Sequence, residues 1–354
     1  MLHEVVKTYY GDTLGGTCDL KTDACSTLEI PTLQIRDALS LIHDEVSSRY
    51  YGCGLAIPEC LDGLKVLDLG CGAGRDVYAL AKLVGPNGHV TGVDMTPEQL
   101  EVARAHETWH AEKFGYDNPN TRFLEGYLEK LDELDLEKGS FDLIISNCVF
   151  NLCVDKPAVF KATYDLLKDG GEVYFADVYS DRRIPQHLIE DEVLYGECLS
   201  GALYWDDYIQ IAKTAGFLDP RVFDHRPLSI IDQKVKDKIE SIKFASVTAR
   251  LMKLENADAG CEDYGQAVIY KGGVPGMERV FKLDTDHEIE AGRVFPVCGN
   301  TLSMLKDTRF TSYFEVVGEG KTHFGKFPNC KAPQIFEDVP AVENNPFSGG
   351  SSCC

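Results

Sequence analysis

Three glycines follow a short apolar run in the stretch Lys65-Val66-Leu67-Asp68-Leu69-Gly70-Cys71-Gly72-Ala73-Gly74. The run 65–69 is typical of a buried strand in a parallel sheet, because such strands face apolar neighbours on both sides. Apolar residues then recur at i, i+3, i+4 and i+7 over positions 77–84, which is the spacing of one helix face. We therefore predict a strand, a glycine-rich turn and a helix.

The same alternation continues to about residue 180. Strand-like patterns lie at 89–94, 121–125, 141–146 and 172–178, and helical patterns begin at Pro97 and cover 157–168. Strands that alternate with helices of about 10–15 residues indicate right-handed crossovers and a parallel sheet. We predict an α/β fold whose sheet has helices on both faces.

The pattern loosens after residue 180. A helix is predicted at 204–216, an extended stretch within 240–254, and short strands with glycine-rich turns from about 266. We predict three parts: an N-terminal segment 1–55, a ligand-binding domain 56–255, and a smaller, mostly β or α+β domain 256–354. The tail 344–354 is rich in Asn, Ser and Gly and ends in Cys353 and Cys354, a composition typical of a flexible segment.

The 354-residue chain is strongly acidic, with 57 Asp and Glu against 35 Lys and Arg, a net charge of −22. Such a surface repels phosphate backbones and anionic headgroups, so we expect neither nucleic acid nor membrane as a partner. No apolar run approaches the roughly 18 residues of a spanning helix, and the first residues lack the pattern of a signal peptide. We expect a cytoplasmic enzyme, and we take it to be a monomer.

Thirteen cysteines are unusual for a reducing compartment. No Cys-x-x-Cys pair occurs, so zinc-ribbon and thioredoxin-like functions lose their usual signal. Free cysteine is commonly a small buried hydrophobe. We interpret Cys60, Cys71, Cys153, Cys261 and Cys298 in that way.

The glycine spacing favours one cofactor over another. A dinucleotide fingerprint requires G-x-G-x-x-G, whereas this chain has G-x-G-x-G with Arg75 where the third glycine would stand. Asp94 ends the second predicted strand, 20 residues after Gly74, where a carboxylate can accept both ribose hydroxyls. S-adenosylmethionine (SAM) has a ribose and a cationic methionine moiety but no pyrophosphate, so we predict SAM; NAD, and a tight turn without a cofactor, remain alternatives.

The segment His106-Glu107-Thr108-Trp109-His110 matches the zinc motif H-E-x-x-H. It lies within the predicted nucleotide-binding half and lacks a third ligand shortly downstream. We therefore interpret it as an ordinary helix face rather than a metalloprotease site.

Five further motifs carry most of the specific information. They are Arg49-Tyr50-Tyr51-Gly52-Cys53-Gly54-Leu55, Gly92-Val93-Asp94-Met95-Thr96, Ser146-Asn147-Cys148-Val149-Phe150-Asn151-Leu152, Tyr174-Phe175-Ala176-Asp177-Val178-Tyr179 and Gly196-Glu197-Cys198-Leu199-Ser200-Gly201-Ala202-Leu203-Tyr204-Trp205. Together with the glycine turn they resemble the arsenite methyltransferases, from residue 7 to about 275. The resemblance implies a Rossmann-like SAM-dependent methyltransferase domain, with arsenic-binding elements at about 196–255.

The resemblance also implies the site residues. Cys53, Cys148 and Cys198 would bind trivalent arsenic as thiolates, and Cys25 would act in a redox step, with Cys18 close enough in sequence to compete for that role. Residues expected at the SAM pocket are Tyr51, Asp68, Gly70, Gly72, Gly74, Arg75, Asp94, Met95, Gln99, Leu128, Glu129 and Asn147.

The chemistry agrees with this set. Thiolates select soft centres such as trivalent arsenic, and three of them leave a lone pair on arsenic that can attack the sulfonium methyl, so no general base is needed. Cys148 directly follows a predicted strand, at the edge where open α/β sheets bind ligands. Each transfer oxidises As(III) to As(V). We expect a disulfide between Cys25 and Cys53 to return the electrons, and a thiol reductant such as glutathione or thioredoxin to reset it.

Two other functions remain open. One is a SAM methyltransferase for another small thiol or a natural product, in which the cysteines are merely buried. The other is a non-enzymatic protein that sequesters arsenite and its methylated trivalent forms, with the Cys353-Cys354 tail as a capture arm. The complete donor turn argues against a non-enzymatic sequestering protein. The four cysteines in specific motifs argue against a methyltransferase for another substrate.

Overall fold

The computed structural model of the chain describes residues 31–50, 55–328, 330 and 335–336. Within that part, the central sheet has eight strands: β1 (Lys65–Leu69), β2 (His89–Asp94), β3 (Thr121–Glu125), β4 (Phe141–Asn147), β5 (Leu167–Ser180), β6 (Leu203–Tyr204), β7 (Arg221–Pro227) and β8 (Phe244–Met252). Their order is β3-β2-β1-β4-β5-β8-β7, and β6 pairs with β5. Strands β1 to β6 pair in parallel, whereas β8 is antiparallel to both β5 and β7. The predicted parallel sheet therefore has an antiparallel edge.

Helices join these strands and precede the sheet. They are α1 (Leu33–Ser40), α2 (Asp44–Ser47), α3 (Arg75–Val84), α4 (Pro97–Ala105), α5 (Glu107–Phe114), α6 (Lys156–Leu166), α7 (Gln186–Ile189), α8 (Glu192–Gly196), α9 (Trp205–Ala215) and α10 (Gln233–Ile239). Short 3-10 turns cover Leu128–Glu133 and Phe150–Leu152. No helix in the described residues combines the length and apolarity that crossing a membrane requires.

Helices cover both faces of the sheet, as the sequence predicts. Val66 of β1 packs in one core cluster with Leu80 of α3. Its neighbour Leu67 packs in the other cluster, with Phe160 of α6 and Tyr208 of α9. Successive side chains of a strand point to opposite faces, so an uninterrupted apolar strand is the expected consequence of this double cover.

One boundary differs from the prediction. The helix expected at 157–168 ends at Leu166, and the turn expected at 169–171 belongs to β5. Gly170 donates its N–H to the carbonyl of Lys253, and Lys253 donates its N–H to the carbonyl of Gly171. These hydrogen bonds to the residue that follows β8, 83 and 82 positions away in sequence, extend the strand beyond what local propensity indicates.

The C-terminal part forms small antiparallel sheets around its own core cluster. Its elements are β9 (Glu262–Asp263), β10 (Ala267–Tyr270), β11 (Val280–Asp284), β12 (His287–Glu290), β13 (Val294–Pro296), α11 (Gly299–Lys306), β14 (Phe314–Val317) and β15 (Gly325–Lys326). Cys261 is disulfide-bonded to Cys330, so its interpretation as a free buried thiol was wrong. The pairing of β9 with β15 lies beside this disulfide and brings its two cysteines, which are 69 positions apart in sequence, close together. Sequence spacing does not reveal this proximity.

Charged residues join the C-terminal part to the sheet domain. Arg250 on β8 is fully buried, and its guanidinium lies 2.6 Å from Glu59 and 3.4 Å from Glu172. Arg309 completes the group, 2.5 Å from the other oxygen of Glu172. Moving the two parts away from each other would separate Arg309 from Glu172 and leave a buried charge without its partner, which is energetically costly. This group therefore stabilises the contact between the two parts.

Candidate functional site

The sheet has one topological switch point, between β1 and β4. From β1 the chain continues outward to β2 and β3, and it then crosses to β4 on the other side of β1. Ligands of open α/β sheets bind outside the carboxyl ends of the strands at such a point. A cleft lies there, bounded by the turn after β1 and by Asn147 and Cys148 at the end of β4.

Glycines shape the floor of this cleft. Gly70 has a positive φ of 75°, and a Cβ on it would lie 2.4 Å from the side chain of Val149. Gly72 also has a positive φ, of 51°, but a Cβ there would meet nothing within 4 Å. Gly70 therefore permits close packing, whereas Gly72 borders open space. Gly74 is not among the lining residues; it precedes α3, and a Cβ on it would lie 2.9 Å from Phe123.

Carboxylates dominate the electrostatics of the cleft. Asp94 accepts hydrogen bonds of 2.8 Å from the N–H groups of Gly72 and Thr96, one on each oxygen. Burial raises the pKa of Asp94, and these N–H groups oppose the rise. Burial, with Asp76 and Asp94 close by, holds the pKa of Asp68 well above its usual range. A cleft with this charge suits a cationic ligand.

One wall joins the N-terminal segment to the sheet. The guanidinium of Arg75 lies 3.3 Å above the ring of Tyr50 and pairs with Asp76 at 3.0 Å. The amide of Asn147 donates a 2.6 Å hydrogen bond to the hydroxyl of Tyr50. The first residue of the Tyr-Tyr-Gly-Cys-Gly motif is therefore anchored on the cleft.

The structure brings most of the predicted cofactor residues to this cleft: Asp68, Gly70, Gly72, Arg75, Asp94, Met95, Gln99, Leu128, Glu129 and Asn147. Tyr51, Cys25 and Cys53 lie outside the described residues, as do Cys18, Cys353 and Cys354. Lining residues that the sequence reasoning missed include Arg49, Tyr50, Cys71, Asp76, Thr96 and Cys153. Arg49, Tyr50 and Thr96 stand within the quoted motifs, and Asp76 lies two residues after the glycine turn, so proximity to a motif was the available signal.

The lining residues fit SAM. The acidic groups match its sulfonium and amino group, and Asp94 lies where the ribose hydroxyls are expected. The side-chain oxygen of Gln99 is buried and has no hydrogen-bond partner in the described part of the chain. Because a buried acceptor without a donor is costly, Gln99 is suited to receive a hydrogen bond from the adenine or sugar.

Two of the predicted arsenic ligands meet beside the cleft. Cys148 lines the cleft directly after β4. The thiol of Cys198, 50 residues later, donates to the carbonyl of Cys148 across 3.6 Å. Both residues are nearly buried and both have left-handed backbones, with φ of 59° and 60°. Cys148 is disulfide-bonded, whereas Cys198 is not part of a disulfide.

The other interpreted cysteines occupy different places. Cys71, Cys153 and Cys298 are free and buried, as predicted, although Cys71 and Cys153 also line the cleft. Cys60 is free but only partly buried. Burial raises the pKa of the Cys153 thiol far above its usual range, so Cys153 is a protonated, weakly nucleophilic lining residue at neutral pH.

The H-E-x-x-H motif does not form a metal site. The ring of His110 is buried against Tyr78, its Nδ1 contacts the carbonyl of His106 at 2.8 Å, and its Nε2 accepts the N–H of His43 at 3.2 Å. Both nitrogens are thus occupied, which supports the interpretation of a helix face. His43 and His106 do approach Glu45. Their rings stack with centroids 3.8 Å apart and an interplanar angle of 24°, and Nε2 of His106 contacts the carboxylate of Glu45 at 2.9 Å.

Comparison with family models gives two matches. A model described as a methyltransferase domain matches residues 61–216. A second, described as the arsenite methyltransferase C-terminal domain, matches residues 264–354. The two matches correspond to the sheet domain and to the small C-terminal sheets.

Comparison with individual proteins extends over the whole chain. An arsenite methyltransferase of Aquipseudomonas alcaligenes is 52% identical over 353 residues and covers 100% of both chains. The human arsenite methyltransferase is 42% identical over 98% of this chain and 93% of its own length. A crystal structure of an arsenic(III) S-adenosylmethionine methyltransferase from Chlamydomonas reinhardtii superposes with a TM-score of 0.81, at 44% identity, over 84% of this chain and 100% of that one.

Proposed function

This chain belongs to the SAM-dependent arsenite methyltransferase family, and from that premise we propose that it methylates arsenite, and then methylarsenite, while its own cysteines hold the arsenic. The proposed ligands are the thiolates of Cys53, Cys148 and Cys198, with Cys25 reserved for the redox step. SAM would be held by the cleft residues, with Asp94 on the ribose and the acidic groups around the methionine moiety. The family membership and the methyltransferase domain support SAM-dependent methylation of arsenite. The roles of the individual cysteines are our proposal.

One observation carries the proposal for the arsenic site. Cys198 comes from the loop after α8, yet its sulfur lies 3.6 Å from the carbonyl of Cys148 at the edge of the donor cleft. Two cysteine residues that lie next to each other at the cleft are suited to a thiophilic substrate once both are reduced. The acidic cleft supports the same assignment, because the methyl donor is a cation.

The chain's contribution is mainly positioning. SAM, when bound, supplies a methyl group on a positively charged sulfur. The thiolates would bind arsenic in its trivalent form and fix it in place, and no side chain has to remove a proton. Holding two reactants in a productive geometry can contribute several kcal/mol to lowering a barrier, so the spacing between the cysteines and the cleft is the main requirement.

The redox step extends this proposal. Loss of two electrons from arsenic in each transfer is balanced by formation of one disulfide from two protein thiols, proposed as Cys25 and Cys53, whose two protons are released. An external thiol of the glutathione or thioredoxin class then reduces that disulfide.

The test is incubation with methyl-labelled SAM, arsenite and a dithiol, followed by separation of the arsenic species. We expect labelled methylarsenicals from the wild type and from Cys60→Ser, a control at a free thiol that does not line the cleft. Cys198→Ser should form none. Labelled product on another small thiol with no methylated arsenic would replace the proposal with a different substrate, and arsenite binding without any transfer would make the protein a sequestering one.

A further inference from the structure

The two cysteine-bearing loops are joined by contacts that the sequence does not predict. One loop contains Cys148 and the 3-10 turn Phe150–Leu152, and the other contains Cys198 and Gly201. Both cysteines hold a left-handed backbone, which is sterically costly for a residue with a Cβ. Such conformations persist only where the surroundings determine them, so contacts with the rest of the protein must hold each loop.

The first contact fixes the Cys148 loop to β5. Asp177 accepts the backbone N–H of Asn151 at 3.1 Å on one oxygen and the side-chain amide of Asn151 at 2.6 Å on the other. The second oxygen also accepts the N–H of Val178 at 2.8 Å. Asn151 and Asp177 are each 1% exposed, so these hydrogen bonds are shielded from water. Together they determine the position of the residues that directly follow Cys148.

Two further contacts join this loop to the loop of Cys198. The hydroxyl of Tyr195 donates a 2.9 Å hydrogen bond to the carbonyl of Leu152. Gly201 lies directly on the carbonyl of Asn151, where an added Cβ would be only 2.2 Å from that oxygen. Tyr195 is also part of the turn that leads into Cys198, since the N–H of Cys198 donates to its carbonyl at 3.0 Å.

We infer that Asn151, Asp177, Tyr195 and Gly201 form an inter-loop brace that sets the separation of the Cys148 and Cys198 sulfurs and thereby determines affinity for trivalent arsenic. The inference rests on the proposed function, because it takes Cys148 and Cys198 as arsenic ligands. None of the four residues lines the donor cleft, and none is proposed to contact arsenic. They are positioning residues, acting through the two cysteines.

The brace should affect the binding of methylarsenite strongly, because this ligand depends on the exact separation of two protein sulfurs. A methylated arsenical has only two positions left for protein sulfur, so both bonds depend on one distance between two sulfurs. By contrast, Asp94 and the turn after β1, which are expected to hold SAM, are fixed by contacts that the brace does not make, although Cys148 and Leu152 of the braced loop also line the cleft. Damage to the brace should therefore weaken arsenical binding and leave SAM binding unchanged, a split that a general loss of folding would not produce.

The test measures two affinities for each variant of the full chain, kept reduced with a phosphine. Methylarsenite binding is followed by equilibrium dialysis with arsenic detection, and SAM binding by calorimetry. Tyr195→Phe removes one neutral hydrogen bond, so we expect about a fivefold weaker methylarsenite affinity. Gly201→Ala should weaken it at least tenfold, because the new methyl group forces the loops apart. SAM affinity should stay within twofold of the wild type in both.

Matched controls use the same chemical changes elsewhere. Tyr208→Phe removes a buried hydroxyl that has no partner in the described part of the chain. Gly260→Ala places a methyl group where its nearest neighbour is the flexible end of Lys326. Both should bind methylarsenite like the wild type.

The outcomes distinguish a failure of the brace from a failure of the proposed arsenic ligands. Normal methylarsenite affinity in Tyr195→Phe and Gly201→Ala, with Cys198→Ser unable to bind, would overturn the brace alone. Normal affinity in Cys198→Ser as well would overturn the proposed ligands. If Gly201→Ala does not fold, Tyr195→Phe decides the question, and equal losses of methylarsenite and SAM affinity in that variant would also count against the brace.

Discussion

The backbone N–H of Gly72 donates a 2.8 Å hydrogen bond to the carboxylate of Asp94, which lies 22 residues further along the chain. This contact joins the glycine turn after β1 to the end of β2. The other carboxylate oxygen accepts from Thr96, so the acid is fixed by backbone groups on both sides. Each carboxylate oxygen can accept more than one hydrogen bond, which leaves Asp94 able to receive hydroxyls from a ligand.

We predict that Asp94→Ala weakens SAM binding at least tenfold. Hydrogen bonds to a charged acceptor contribute about 1.5–3 kcal/mol each, and loss of the carboxylate also leaves the N–H of Gly72 without its acceptor. The measurement is calorimetric titration with SAM. Asp135→Ala is the matched control, because Asp135 is an exposed carboxylate paired with Arg122, and its SAM affinity should not change. An unaltered affinity in Asp94→Ala would remove Asp94 from the donor site.

We predict different losses for the four cysteines. Cys148→Ser and Cys198→Ser should abolish methylation of both arsenite and methylarsenite, because a hydroxyl does not replace a thiolate on a soft centre. Cys25→Ser and Cys53→Ser should lose the first methylation and keep the second, since methylarsenite needs only two protein sulfurs and the external thiol can reduce its pentavalent product directly. Product speciation with each substrate distinguishes these cases.

Two results would contradict this division. One is methylation of methylarsenite by Cys148→Ser. The other is methylation of arsenite by Cys25→Ser at the wild-type rate. Either would move the binding role to a different thiol, and Cys153, which also lines the cleft, would be the next candidate.

The sequence was sufficient for features that depend on local pattern. The glycine turn, its strand and helix, and Asp94 at the end of β2 follow from apolar periodicity and spacing, and the structure confirms the resulting α/β fold. The disulfide of Cys261 and the contact between Asn151 and Gly201 could not be predicted. Both join residues at least 50 positions apart, and such proximity is set by tertiary packing.

We predict a pH-dependent loss of stability that originates at His110. Burial lowers the pKa of His110 from 6.5 to about 4, so the folded protein keeps this ring neutral. The contribution is fully present above pH 6.5 and is lost as the pH falls towards 4, because the unfolded chain then takes up a proton that the folded chain does not. The expected loss is up to about 3 kcal/mol in the free energy of unfolding.

Urea unfolding between pH 7.5 and pH 4.5 measures this effect in the wild type and in His110→Phe. The phenyl ring keeps the stacking on Tyr78 but removes both hydrogen bonds and the titrating group. His110→Phe should therefore be less stable at pH 7.5 and lose less stability on acidification. Parallel pH profiles for the two proteins would show that the pKa of His110 is the same in the folded and the unfolded chain.

The last prediction concerns the electrons released by each methyl transfer. Fully reduced enzyme, given SAM and arsenite but no external thiol, should form methylarsenical once and then stop, because the proposed Cys25 and Cys53 pair is consumed as a disulfide. Before the thiols are counted, arsenic is removed with a chelating dithiol under conditions that leave disulfides intact, and the dithiol is washed out. Titration of free thiols in denaturant should then show two fewer thiols per methyl group transferred. Cys60→Ser should behave like the wild type apart from one fewer thiol at the start, whereas Cys25→Ser should lose neither thiols nor arsenite. Unlimited turnover without any reductant, or methyl transfer at a constant thiol count, would show that the protein's cysteines are not the electron source.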